Sequence, residues 1–197
     1  MTDAPGLDAY ARRYLAEARD ALAEPYLLDA ARRIVPLIVG ARAAGRTVFF
    51  FGNGGSASTA SHFVTDITKV AARGPGRRTR CVSLNDNVPG VTALANDLDF
   101  SHVFAEQLKV LAEPGDVAVA ISGSGDSPNV VEAVEVAKSL RLTTIGLTGM
   151  GGGKLKDLVD VPVVVPSNSM QHTEDLHLIV CHMLTAYLRD EQPSPSR

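Results

Sequence analysis

The chain has no tryptophan, and only two of its 197 residues are cysteines. Cys81 and Cys181 lie far apart, each in an apolar stretch, and no CxxC pair occurs. Both read as reduced core residues. Neither sign of charge is in large excess: the net charge is −3 and the pI about 5.9. No basic stripe argues for nucleic acid. Arg73, Arg77, Arg78 and Arg80 cluster in a Gly/Pro segment, where a solvated loop is the first reading and phosphate or partner binding the second. No apolar run reaches membrane-spanning length, and the N-terminal MTDAPGLDAY lacks the apolar core of a signal peptide. The expectation is a cytoplasmic protein with neither nucleic acid nor membrane as partner. Nucleotide fingerprints are missing too: no G-x-G-x-x-G follows the first apolar run, and no P-loop Lys-Ser/Thr pair exists.

What is present is an ordinary globular composition, 45% hydrophobic and 21% charged, long enough for one domain with a sizeable core. Helical patterns cover residues 4–23 and 27–44, with Pro36 placed to kink the second and Gly45 to end it. These two helices precede the first strand and need a partner for their apolar faces, which another subunit would supply. Strands and helices then alternate. The predicted strands are Thr47–Phe51, Arg80–Leu84, Val117–Ile121, Thr143–Thr148 and Val161–Val165. Helices are predicted at Ala57–Val70, Val91–Ala95, Ser101–Leu111, Asn129–Leu140, Lys154–Leu158 and Met170–Arg189. Continuous apolar strands between helices are the pattern of a parallel sheet covered on both faces. The fold class is α/β: a five-stranded, doubly wound sheet of flavodoxin-like type, one domain over residues 1–191. The Pro/Ser-rich tail Gln192–Arg197 is expected to fray.

Two loops at predicted strand ends stand out. Phe49-Phe50-Phe51 stops abruptly at Gly52-Asn53-Gly54-Gly55-Ser56-Ala57-Ser58, and a helical segment follows. Glycines allow close backbone approach, and the N–H groups of a helix start favour an anion. The second loop is Ile121-Ser122-Gly123-Ser124-Gly125-Asp126-Ser127, with Pro128 at the first helical position. Helix capping by Ser127 explains one hydroxyl. Three hydroxyls exceed capping, and phosphate is the favoured ligand. Gly149–Gly153 lacks phosphate-loop spacing and reads as a flexible turn.

His62 and Asp66 are four apart on the helix after the first loop and share a face. Glu174 and His182 are eight apart on the last helix, close to two turns, with His177 between them. A lone histidine here would read as a satisfied core or subunit-contact residue. Two histidines with carboxylates beside a phosphate loop favour a site. Such a set can shift a carbon-bound proton and stabilise an enediolate oxygen. It can also hold Zn2+ or a similar divalent ion.

Four segments together resemble the sugar isomerase (SIS) domain family, and within it the phosphoheptose isomerase (sedoheptulose 7-phosphate isomerase) branch. They are Phe51-Gly52-Asn53-Gly54-Gly55-Ser56, Ala95-Asn96-Asp97, Ile121–Ser127 and Glu174…His177…His182. The resemblance implies an aldose–ketose isomerase acting on a phosphorylated sugar through an enediol. It implies that Asn53, Gly54, Gly55 and Ser56 line the sugar phosphate, that Asn96 and Asp97 help form the pocket, and that Ser122, Gly123, Ser124 and Ser127 bind phosphate. Asp66, Lys69 and Glu174 would also touch substrate; Asp66, Glu174 and His182 would be catalytic; His62, Asp66, Glu174 and His182 would hold zinc. It further implies a homotetramer with sites across subunit boundaries.

Three departures fall where the chemistry sits. Asp66 replaces the family's usual glutamate, Glu174 its glutamine, and Lys69-Val70 its Gly-Arg, with Lys69 the candidate substitute for the missing arginine. Aspartate draws the carboxylate back by about 1.5 Å, and a misplacement on the order of 1 Å can cost ~100-fold in rate. The expectation is that Asp66 and Glu174 compensate each other and that Glu174 shares or takes over the base role. Alternatives from the same resemblance are a non-catalytic sugar-phosphate-binding regulator, a tetrameric replication-initiator adaptor, or a hydrolase of N-acetylmuramic acid phosphate ethers.

Overall fold

Successive side chains of a strand point to opposite faces of its sheet, so a strand apolar at every position needs cover on both sides. The computed structural model, which describes residues 6–23, 25–71 and 78–190, has five short strands, of which the first and third are buried at every position. They are β1 (Thr47–Gly52), β2 (Arg80–Ser83), β3 (Val117–Ser122), β4 (Thr143–Thr148) and β5 (Val161–Val164). All pairs are parallel and the order is β2-β1-β3-β4-β5. Val48 and Phe50 face one layer with Val119 and Ile121; Phe49 and Phe51 face the other with Ala118 and Ala120. The first layer holds α2 (Tyr26–Ala44), α3 (Gly55–Ala71) and α8 (Met170–Asp190). The second holds α4 (Val88–Asp97), α5 (Ala105–Leu111), α6 (Pro128–Ser139) and α7 (Leu155–Leu158). Phe50 meets Phe63 of α3 edge-on at 5.0 Å between ring centroids. Each such buried ring contributes roughly 2–3 kcal/mol from apolar burial.

The predicted helix Ser101–Leu111 divides into a 3-10 turn, Phe100–His102, and α5. Asp99 caps the turn through Ser101 N–H at 2.8 Å. Val103, Phe104 and Ala105 are then buried in succession, which one face of a continuous helix cannot accommodate. Pro36 is tolerated inside α2, and Gly45 ends that helix in the left-handed region at φ 71°. The helix α1 (Leu7–Leu22) buries only Ala21 and leaves Tyr10, Leu15 and Leu22 exposed. It is held by Tyr14, whose ring lies 4.0 Å from His172 and whose hydroxyl donates to Asp175 at 2.9 Å. No helix among the described residues is long and apolar enough to cross a membrane. Arg78 and Arg80 are exposed, the latter as the first residue of β2. Arg73, Arg77 and the expected frayed tail lie outside the described residues.

From β1 the chain runs to β2 on one side and returns to β3 on the other. The loops leaving β1 and β3 therefore part at the carboxyl ends of the two central strands, where doubly wound sheets open a crevice for ligand.

Candidate functional site

Ser127 is the residue before α6, yet its side chain makes no capping bond. Its hydroxyl lies 3.0 Å from that of Ser122 instead. Ser122 Oγ also accepts from Gly125 N–H at 3.2 Å, and Ser124 Oγ from Asp126 N–H at 3.2 Å. The hydroxyls thus shape the loop, and the positive end of α6 is left without a side-chain cap. That favours the anion reading over capping. Gly125 takes φ 73°, and any side chain on it would collide with the Gly152 carbonyl. Lys154 N–H donates to Asp126 and Leu155 N–H to the Gly125 carbonyl. The Gly149–Gly153 segment, expected as a flexible turn, is instead packed against this loop.

Asn53 follows β1 and is locked to Asn129, the second residue of α6. Each carboxamide donates to the other at 2.8 Å. Asn85 grips the preceding residue: its amide donates to the Gly52 carbonyl at 2.8 Å and its oxygen accepts Gly52 N–H at 3.2 Å. Neither Asn85 nor Asn129 was singled out as a site residue from sequence. Asn129 left one signal, a polar residue on the buried stripe formed by Val130, Ala133, Val134 and Ala137. Gly54 and Gly55 are exposed at the turn, whereas Ser56 is buried.

Further along α3, His62 and Asp66 meet His182 of α8. The two histidine Nε2 atoms are 3.1 Å apart, and Asp66 Oδ2 lies 3.3 Å from the first and 3.8 Å from the second. The histidine side chains are half exposed and Asp66 is 22% exposed, so the cluster opens to solvent on the α3–α8 surface. Two imidazole nitrogens facing each other beside a carboxylate converge as cation ligands do, and all three ligand atoms fall within 4.8 Å of one another. This donor set fits zinc, and three protein ligands leave a tetrahedral position open.

Glu174, expected as the fourth ligand, does not join this group. Eight residues of helix put it about 12 Å along the axis from His182. Its carboxylate lies against Gly55, where a Cβ would strike it, at the positive N-terminal end of α3. Lys69 is exposed in the last turn of α3, about 20 Å along that helix from Gly55. Asn96 and Asp97 are exposed at the end of α4 and bond to each other at 2.8 Å. Within one chain these three are not hydrogen-bonded to the Ser122–Ser127 loop among the described residues. His177, one turn beyond Glu174, is buried to 1% exposure with neither ring nitrogen paired. Burial pushes its pKa down to about 4, the backbone of Thr148 opposing. Burial raises both thiols, Cys81 to about 12, so neither is a nucleophile.

A doubly wound sheet with two Gly/Ser loops at its switch point, and a histidine–carboxylate cluster on the adjoining helices, defines an α/β domain with a candidate anion site and a candidate metal or acid–base site. The chain belongs to the SIS domain family, whose model matches residues 10–149. It is 36% identical over 170 residues to the phosphoheptose isomerase of Paramagnetospirillum magneticum, covering 86% of this chain and 85% of that protein. The solved phosphoheptose isomerase GmhA from Neisseria gonorrhoeae superimposes with a TM-score of 0.86 at 31% identity, covering 93% of this chain and 99% of that one. A phosphoheptose isomerase structure from Francisella tularensis gives 0.82 at 27% identity, with 97% and 100% covered.

Proposed function

We propose that the protein is an aldose–ketose isomerase that converts sedoheptulose 7-phosphate, or a closely related long-chain ketose phosphate, to the aldose phosphate. The observation that carries this reading is the uncapped, serine-rich start of α6, together with the Glu174 carboxylate set against Gly55 at the start of α3. The family and its similar isomerases support it. Ser122, Gly123, Ser124 and Ser127 would hold the phosphate, and Asn53, Gly54 and Gly55 the sugar. A carboxylate removes a proton from C1 of the ketose while the C2 oxygen is protonated, giving the enediol. The proton then goes to C2, the C1 hydroxyl loses its own, and the aldose forms with atoms balanced.

Asp66, Glu174 and His182 are the acid–base set in this reading. Glu174, beside the β1–α3 turn, stands closer to the sugar loop than Asp66 does and is assigned the base role. Zinc held by His62, Asp66 and His182 would polarise the sugar oxygens, with Glu174 of the same chain standing apart from it. Asn96, Asp97 and Lys69 would reach the pocket from a neighbouring copy. The exposed apolar residues of α1, and an apolar cleft of 410 Å³ lined by Val35, Pro36, Met183 and Tyr187, favour the homotetramer.

The test is NMR of the purified protein with sedoheptulose 7-phosphate in D2O, with and without added zinc. The aldose heptose phosphate, with deuterium at C2, is the expected product. No turnover of this or other long-chain ketose phosphates by folded protein leaves a non-catalytic sugar-phosphate-binding protein as the reading.

A further inference from the structure

Asn129 is 2% exposed, and an asparagine buried in an otherwise apolar helix stripe needs a reason. Its whole carboxamide is turned to Asn53, with two bonds of 2.8 Å. The partner is the residue expected to touch the sugar. Such a pair survives only if both amides keep matched orientations; turning one alone sets oxygen against oxygen and N–H against N–H. The pair also crosses the crevice. Asn129 stands two residues after Ser127, in the helix whose start belongs to the phosphate loop, whereas Asn53 belongs to the turn after β1. Asn85 holds the backbone of Gly52 independently, so the turn keeps its place without Asn129 while the Asn53 side chain does not.

We infer that Asn129 is a positioning residue: through the reciprocal amide pair it fixes the orientation of Asn53 toward the sugar and ties that orientation to the phosphate-loop helix. Asn129 itself is covered, and its polar atoms are committed to Asn53. In the bound state Asn53 offers the sugar its remaining N–H and its remaining lone pair. Without Asn129 the amide rotates freely and must be ordered by the ligand each time it binds, which weakens binding of the sugar and leaves capture of the phosphate group alone.

The inference rests on the isomerase reading for its kinetic readout, so the test measures binding as well. Wild type, Asn53→Ala, Asn129→Ala and the double variant are compared for kcat/KM and, by calorimetry, for the affinity of sedoheptulose 7-phosphate. Inorganic phosphate serves as a competitor, and Asn129→Ser replaces Asn129→Ala if the latter does not fold. Asn129→Ala is expected to weaken sugar-phosphate affinity about tenfold, the effect of one lost neutral hydrogen-bonded contact, mainly in KM. Inorganic phosphate should change by less than about threefold, and Asn129→Ala should add nothing in the Asn53→Ala background. Effects that multiply, or equal losses for phosphate and sugar phosphate, overturn the inference. Wild type that binds without turning over overturns the isomerase reading and leaves the affinity cycle to decide this one. Absence of binding overturns both.

Discussion

At the amino ends of the strands, Asp116 accepts Thr47 N–H at 2.9 Å and Glu113 N–H at 2.8 Å. Asp160 accepts both the N–H and the hydroxyl of Thr144 at 2.8 Å. At the carboxyl ends, Ser122 meets Ser127 and Asn53 meets Asn129; the two histidines and the aspartate converge toward solvent farther along α3 and α8. The same sheet thus ends in two kinds of polar chemistry. Carboxylates at the amino end bind the protein's own backbone and fasten strand starts. At the other end Ser122 with Ser127 and Asn53 with Asn129 pair side chain with side chain, beside bonds to backbone, and the start of α6 is left without a side-chain cap. The amino edge carries the backbone-fastening carboxylates and the carboxyl edge the candidate ligand loops.

Breaking the histidine–aspartate cluster has the largest expected effect. His182→Ala should lower turnover by about 1,000-fold, within the range of a lost acid–base or metal ligand, while thermal stability stays close to wild type because the side chain is half exposed. The reverse outcome is expected at the amino edge. Asp116→Ala leaves two backbone N–H groups unpaired at a 3% exposed site, costing about 3 kcal/mol in denaturant unfolding. Activity per folded molecule should hold. A stable but inactive Asp116→Ala protein contradicts the division between the edges.

Acid separates the two edges by pH. His177, behind the carboxyl edge, takes a proton at about 4 in the fold against 6.5 ordinarily. Between those values the unfolded chain binds the extra proton. Its contribution is therefore complete above about pH 6.5 and declines as pH falls toward 4, by about 3 kcal/mol in total. His177→Leu should flatten stability against pH in that window. Asp160 titrates lower: burial raises its pKa, but Thr144 and Lys138 outweigh that and hold the carboxyl below its ordinary value. Its stabilisation is present above the ordinary carboxylate range and is lost as pH falls through the lowered value. Glu174→Gln is expected to cut turnover about 100-fold; full activity would remove Glu174 from the base role. Ser127→Ala has the smallest expected effect, about tenfold in KM with no measurable loss of helix stability, because no cap is lost.

All five strands and their parallel doubly wound arrangement were legible in the sequence, because each is a short apolar run closed by a turn. The Ser122–Ser127 loop at the end of β3 was legible as a loop for the same reason: three hydroxyls and two glycines sit within six consecutive residues. The histidine–aspartate cluster was legible in part. Helical spacing brings His62 and Asp66 onto one face and relates His182 to Glu174 along α8, whereas the contact of His182 with the first pair comes from the packing of α3 on α8. That same spacing hid the distance to Glu174, since residues two turns apart share a face but not a height. Asn129 and the Gly149–Gly153 buttress depend on contacts between distant segments, which periodicity does not reveal.

The pairing of β1 with β3 brings Val48 beside Val117, and α3, β2, α4 and α5 all lie between them in the chain. Closing a loop of that size is a slow step in folding. The two Gly/Ser loops, the candidate anion site, come together only after it is complete. Phosphate or sugar-phosphate binding therefore times a late event, and in a stopped-flow refolding experiment ligand capture should lag behind the appearance of helical signal.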